Sequence, residues 1–233
     1  MKKTKIAVLL SGCGVYDGAE IHESVLTLLA LDLAGASYQC IAPDIDQHHV
    51  INHITGEEMN ETRNVLVESA RIARGDIKAL KEVSADDFDA LIMPGGFGAA
   101  KNLTKWAFSG PDGEINPEVK RIINEMVAAK KPIAAMCMSP TVVAKALEST
   151  PLHVKLTVGT TEEPSPYEID AISTGMQKTG AIVEMTAVEN IVVDTEHKII
   201  TTPCYMMEAS ISQVYEGITK TVKQLMEMIG NQN

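Results

Sequence analysis

Short runs of apolar residues, bounded by turn formers, alternate with longer stretches of helical periodicity along this chain of 233 residues. The short runs predict strands at Ile6–Leu10, Tyr38–Ala42, Ala90–Met93, Ile133–Met136, Val154–Thr157, Ile191–Val193 and Ile199–Thr202. Between them, apolar residues at helical spacing predict helices at Gly18–Ala34, Thr62–Arg74, Pro117–Ala129, Ser139–Leu147, Glu168–Thr179 and Met207–Ile229. Near-continuous apolar strands alternating with helices are what a parallel sheet covered on both faces requires. The last two runs break the alternation, because Asp194-Thr195-Glu196-His197-Lys198 between them reads as a hairpin turn. The pattern therefore predicts an α/β fold, a mostly parallel sheet with an antiparallel hairpin near the C-terminus.

Hydrophobic residues make up 45% of the chain, enough for a substantial core, and at roughly 100–200 residues per domain the whole of 1–233 reads as a single domain. The Pro-rich stretch Glu162-Glu163-Pro164-Ser165-Pro166 is then a loop, and the terminal Asn231-Gln232-Asn233 is expected to fray. A net charge of −11 and an aromatic content of 4% exclude nucleic acid and anionic membrane surfaces as partners and favour a small molecule. The scattered cysteines Cys13, Cys40, Cys137 and Cys204 fit a reduced, cytoplasmic protein. Lys2, Lys3 and Lys5 ahead of Ile6–Leu10 and Ser11-Gly12-Cys13 imitate a lipoprotein signal. Only five apolar residues follow Lys5, however, short of the roughly 7–15 of such a signal, and a buried first strand fits better. No run approaches the ~20 apolar residues of a membrane span.

Ligands of open α/β sheets bind outside the carboxyl ends of the strands. There, Ile133-Ala134-Ala135-Met136-Cys137-Met138-Ser139-Pro140 has the form of a nucleophile elbow with sulfur in the nucleophile position. Pro140 suits a first helical turn, and a thiol at a helix N-terminus is expected to have a lowered pKa. The alternative is a structural cysteine capping a core strand. After another strand, Pro94-Gly95-Gly96-Phe97-Gly98-Ala99-Ala100-Lys101-Asn102 lets backbone amides approach a ligand, or simply makes a tight turn. The amides of Gly96 and Met138 are the expected donors to an oxyanion formed at Cys137.

In Ser11-Gly12-Cys13-Gly14-Val15-Tyr16-Asp17-Gly18-Ala19-Glu20-Ile21-His22-Glu23, the glycine spacing fails the dinucleotide fingerprint, so no such cofactor is expected. Asp17 and Glu20 fit an N-cap and its capping-box partner. Glu23 lies one turn further on, either beside the thiol as a proton donor and acceptor or on a solvated face. Cys204 after the last strand reads as core filling, and Cys13 is a weaker candidate for a resolving thiol. His48, His49, His53, Asp44 and Asp46 match no zinc or iron spacing and read as loop polarity, so no metal is expected. The methionines Met126, Met136, Met138, Met206, Met207, Met226 and Met228 read as gap fillers.

The Ala19-Glu20-x-x-Glu23 helix start, Pro94-Gly95-Gly96 and Ala134-Ala135-Met136-Cys137-x-x-Pro140 resemble the ThiJ/PfpI superfamily, which includes the class I glutamine amidotransferase-like proteins. Ser11–Gly18, Glu61-Thr62-Arg63-Asn64-Val65-Leu66, Pro94–Leu103 and Thr201-Thr202-Pro203-x-Tyr205-Met206 are similar to its ElbB branch, the isoprenoid-biosynthesis glyoxalase type. The similarity runs from about Lys5 to the last helix. It implies a flavodoxin-like three-layer sandwich, often a homodimer, with cofactor-independent conversion of glyoxal to glycolate. By position, Cys137 matches the nucleophile, Glu23 its carboxyl partner, and Gly95 and Gly96 the glycines beside the oxyanion. One departure stands out: where many superfamily members carry a histidine, Leu156-Thr157-Val158-Gly159-Thr160-Thr161 has none. Met138 replaces the histidine of the peptidases, and Pro203-Cys204-Tyr205 the His and Glu of the amidotransferases. The expected activity is therefore a glyoxalase III-like lyase acting through a Cys137 hemithioacetal on glyoxal or a small 2-oxoaldehyde. Its rivals are a cysteine sensor of oxidants or carbonyl stress without turnover, and amide or ester hydrolysis on the same elbow.

Overall fold

The computed structural model describes residues 4–230, so the expectation for Asn231–Asn233 lies outside the described residues. In chain order the elements are β1 (Lys5–Leu9), α1 (Ile21–Leu33), β2 (Ser37–Ala42), α2 (Val65–Ile72), β3 (Ile77–Ala79), β4 (Ala90–Met93), α3 (Trp106–Ser109), α4 (Pro117–Ala128), β5 (Ile133–Met136), α5 (Ser139–Leu147), β6 (Lys155–Leu156), α6 (Ile169–Lys178), β7 (Ile182–Val183), β8 (Val192–Asp194), β9 (Ile199–Thr202) and α7 (Ile211–Gly230). Seven strands form one sheet in the order β3-β2-β1-β4-β5-β9-β8, parallel except where β8 runs against β9. Helices flank it, with α1 packed on α7 and α4 on α5. This is the flavodoxin-like α/β sandwich. Among the described residues, no helix is long and apolar enough to cross a membrane.

Core strands β4, β5 and β9 are wholly buried, as the unbroken apolar runs of β4 and β5 require of a sheet covered on both faces. The hairpin forms as predicted, with Val192 opposite Thr201. Its turn is held by Asp194 Oδ1, which accepts the His197 amide at 2.9 Å, and by Lys198 at φ 58°. Strand order reverses at β1, which has β2 on one side and β4 on the other. The carboxyl ends of β1, β4 and β5 consequently frame a crevice, the position where such sheets bind ligands.

Several boundaries differ from the sequence reading. α1 starts at Ile21 rather than Gly18, because Glu20 is its N-cap and accepts the Glu23 amide at 2.6 Å. Asp17 instead accepts the Ile51 amide at 2.7 Å, tying the glycine-rich loop to the 44–64 excursion. α2 starts at Val65, where Asn64 Oδ1 accepts the Val67 amide. β3 and β7, three and two residues long, leave no periodicity to read. The predicted strand at Val154–Thr157 shortens to β6 and pairs with β7 outside the main sheet. Side chains tie it back: Asp194 Oδ2 accepts the Lys155 amide at 2.8 Å and Thr201 Oγ1 the Thr157 amide at 3.0 Å.

Candidate functional site

Cys137 leaves β5 at φ 57°, a left-handed conformation that is costly for any residue but glycine, on the order of 1–3 kcal/mol. Two contacts hold it there. Its amide donates to Thr202 O at 3.0 Å, and Ser139 Oγ donates to Pro94 O at 2.7 Å, fastening the elbow to the turn after β4. Pro140 sits in the first turn of α5, where a missing N–H costs nothing. The thiol lies almost completely buried at the carboxyl end of the sheet.

The turn after β4 brings two amides to this point and the elbow itself a third. Gly95 donates to Glu23 Oε2 at 2.8 Å, while the amides of Gly96 and Met138 hydrogen-bond the Cys137 sulfur. These are the two donors expected for an oxyanion; here they face the sulfur itself. Two glycines are obligatory by sterics. A Cβ on Gly95 would lie 2.8 Å from Cys137 Sγ and 2.9 Å from Glu23 Oε2, and one on Gly96, at φ 95°, would collide with the Glu20 amide and the Gly18 carbonyl.

Glu23 is fully buried on α1, so the solvated-face alternative falls. Its Oε1 also accepts the Tyr205 amide at 3.3 Å, and its carboxyl hydrogen-bonds the thiol. Burial, then the charge of Glu20, pushes its pKa up to about 8, against the lowering effect of the Gly95, Cys137 and Tyr205 contacts. The expected low thiol pKa is not found. Burial, followed by the Glu23 charge, raises Cys137 well above an ordinary thiol, and the Gly96 and Met138 amides offset this only in part. The helix end supplies amides, but a dry site beside a carboxyl outweighs them.

Cys137 and Met138 open onto a small recess walled by Val15, Phe97, Tyr167 and Tyr205. The aromatic wall was not picked out in the sequence, although Tyr205 belongs to the Thr-Thr-Pro-x-Tyr-Met motif. His22 Nδ1 stands 3.0 Å from the Tyr205 hydroxyl, so a histidine does reach this site, from the residue before Glu23. Burial and the charges of Cys137 and Glu23 push the Tyr167 hydroxyl up to about 12, leaving it a proton donor.

The remaining candidates fall elsewhere. Cys204, fully buried, fills the core at φ 47°. Cys13 lies within the influence of Asp17, Glu68 and Arg71, outside the recess lining, and all four thiols are free. His48 packs tilted and His49 edge-on against Phe108, and His53 packs tilted against Tyr16.

The sequence profile of the DJ-1/PfpI family matches residues 7–150, which span the crevice, Glu23, the glycine turn and the Cys137 elbow. The chain belongs to the DJ-1/PfpI family. Within it, the rat "ES1 protein homolog, mitochondrial" is 43% identical over 230 residues, covering 98% of this chain and 85% of that one. The human "glutamine amidotransferase-like class 1 domain-containing protein 3, mitochondrial" is 42% identical over 228 residues, 97% of this chain and 84% of that one. A crystal structure of an isoprenoid biosynthesis protein with amidotransferase-like domain from Ehrlichia chaffeensis superposes with a TM-score of 0.88 at 36% identity, covering 97% of this chain and 99% of that one. The resemblance to the isoprenoid-biosynthesis branch thus extends to the whole DJ-1/PfpI fold.

Proposed function

We propose that the protein is a cofactor-independent glyoxalase that converts glyoxal or a small 2-oxoaldehyde to the 2-hydroxy acid. The observation that carries this is the contact of a carboxyl titrating at about 8 with a cysteine on a strained elbow, beside a recess of a few atoms' width. Between them the two groups lose their first proton near pH 8, and the resulting one-proton pair provides both a nucleophile and an acid. Sulfur adds to one aldehyde carbon while the carboxyl proton passes to its oxygen, giving a hemithioacetal and a carboxylate. Glu23 then removes the C–H proton from that carbon and returns it to the neighbouring carbon through an enediol, leaving a thioester. Water, deprotonated by Glu23, releases the 2-hydroxy acid and restores the pair. The aldehyde carbon oxidised and the one reduced belong to the same substrate, so no external redox partner enters. Tyr205, held by His22, and Tyr167 serve as donors to the second carbonyl oxygen.

The test is turnover of glyoxal by metal-free protein, followed by glycolate formation. Wild type is expected to turn over and Cys137→Ser to be inactive; unchanged turnover in that variant refutes the mechanism. The sensor alternative uses the same Cys137 sulfur as nucleophile, on peroxide in place of the aldehyde carbon. It would show as sulfinic acid on Cys137 at low peroxide without aldehyde turnover.

We further infer a homodimer. On the outward side of α1, Ile21, Val25, Leu29 and Leu33 form a stripe at four-residue spacing and are 44%, 48%, 44% and 69% exposed. An apolar stripe of this length on a chain of charge −11 suits a second copy better than water. Light scattering should give twice the chain mass, and Leu29→Glu the single mass. The cytoplasm, a reducing compartment, suits four free thiols, and cell fractionation tests this.

A further inference from the structure

The Phe97 and Tyr167 walls of the recess have a second side. There they border an open groove together with Tyr16, Ile51, Gly56 and Lys101. Glyoxal, with four heavy atoms, leaves this groove empty. Lys101 is its cation, and its surroundings are unusual. The ammonium is partly buried, which lowers its pKa, and lies 5.5 Å from the Phe97 ring centroid. Among the described residues its polar partner is the Tyr16 carbonyl, at 2.8 Å, and no carboxylate forms an ion pair with it. Asp17 and Glu58 act on it only at longer range, and Asp17 is already engaged by the Ile51 amide and faces His53 at 3.9 Å. A half-dry ammonium with unused donors and no carboxylate in contact attracts an anion.

The backbone beneath Lys101 is fixed in advance. Residues Ala99–Leu103 form a turn of π-helix, a rare geometry that recurs at functional sites. Lys105 Nζ donates to Lys101 O at 2.9 Å, and the Asn102 amide group donates to Ser11 O and Asp17 O at 2.9 and 2.8 Å. The Gly-Phe-Gly-Ala-Ala-Lys-Asn segment thus presents one lysine to the groove and locks its neighbours into the β1 loop. The groove's other walls are aromatic or apolar, which suits a short hydrocarbon spacer.

We propose that this groove is the tail subsite of the Cys137 site, and that the substrate is a carbonyl compound bearing a carboxylate or phosphate at the end of a short apolar spacer. The carbonyl lies at Cys137, the spacer crosses the edge formed by Phe97 and Tyr167, and the anion sits on Lys101. This rests on Cys137 being the nucleophile, so the test reads both claims separately. Cys137 is alkylated with a series of ω-(iodoacetamido)alkanoates of two to six methylenes and with the matching neutral carboxamides; sulfur displaces iodide in each, and peptide mapping gives the rate at Cys137. At one spacer length the acid is expected to react roughly tenfold faster than its amide, a single charge-assisted contact's worth. The ratio should fall to about one in Lys101→Met and persist in Lys101→Arg. Equal rates for acid and amide at every length overturn the subsite alone. Failure of both reagents to label Cys137 overturns the nucleophile, and the subsite with it.

Discussion

Glu23 and Cys137 reach each other from opposite sides of the switch point, one from α1 after β1, the other from the turn after β5, and their side chains hydrogen-bond with the Gly95 amide as a third party. Burial raises the proton affinity of both groups; the Glu23 charge adds to this at the thiol, whereas the thiol's hydrogen bond partly offsets it at the carboxyl. The pair is neutral at low pH, carries one negative charge above about 8, and reaches a second charge only far above that. Which atom holds the remaining proton matters less than the fact that one remains.

That coupling fixes the pH dependence of turnover. Glyoxal kcat/KM is expected to climb with pH and level off above about 8, the point where the pair first ionises. Glu23→Gln should remove this limb and lower the rate by about 10²–10³, the usual contribution of a general acid–base group. A profile already flat from pH 5 to 7 in wild type would contradict the raised carboxyl.

Gly95→Ala offers a purely geometric check. The new methyl would sit within 3 Å of both the sulfur and the Glu23 oxygen, with the Cys137 Cβ closer still. Overpacking of this kind costs about 1–3 kcal/mol in stability, visible as a lower denaturant midpoint. Turnover should be lost along with it, since relief requires the thiol and the carboxyl to part.

The elbow, the glycine turn and the hairpin were legible in the sequence because each is local. Pro140 after Cys137, glycines directly after a strand, and polar residues between two short apolar runs all act on the backbone beside them. What escaped was set by distance along the chain. The height of the thiol pKa depends first on its own burial and then on the charge of Glu23, and both depend on α1 lying over the sheet's edge. The aromatic wall collects Phe97, Tyr167 and Tyr205 from three separate loops. Among the described residues β7 pairs only with β6, outside the main sheet, and two residues carry no periodicity. The capping of α1 was misread for another reason: Asp17 is the better cap by residue type, but the Ile51 amide, outside the local sequence, engages it and Glu20 caps the helix instead.

The missing superfamily histidine leads to a third prediction. His22 Nδ1 and the Tyr205 hydroxyl are 3.0 Å apart at the rim, and Tyr205 lines the recess. Tyr205→Phe should lower kcat by roughly tenfold with little change in KM, as expected for a donor that strengthens its contact only in the transition state. His22→Gln, which can still bond the hydroxyl, should retain most of the activity, whereas His22→Leu should resemble Tyr205→Phe. Equal effects of the two His22 changes would leave Tyr205 without a positioning partner.

Burial of Glu23 also has a consequence for folding that does not involve substrate. Its folded pKa of about 8 lies above its ordinary value of 4.5, so across that window the native state binds a proton the unfolded chain has released. The contribution to stability is complete below 4.5 and is lost as pH rises towards 8. Each tenfold change in proton affinity between the folded and unfolded chain is worth about 1.4 kcal/mol, so the loss is on the order of a few kcal/mol. Glu23→Gln keeps the shape and an acceptor but cannot ionise. In urea titrations its stability relative to wild type should therefore rise steadily between pH 5 and 8, overtaking wild type at the alkaline end even though the variant is catalytically impaired. A difference that stays constant with pH would mean that Glu23 is ionised in the folded protein throughout, and the neutral carboxyl on which the proposed chemistry depends would be absent.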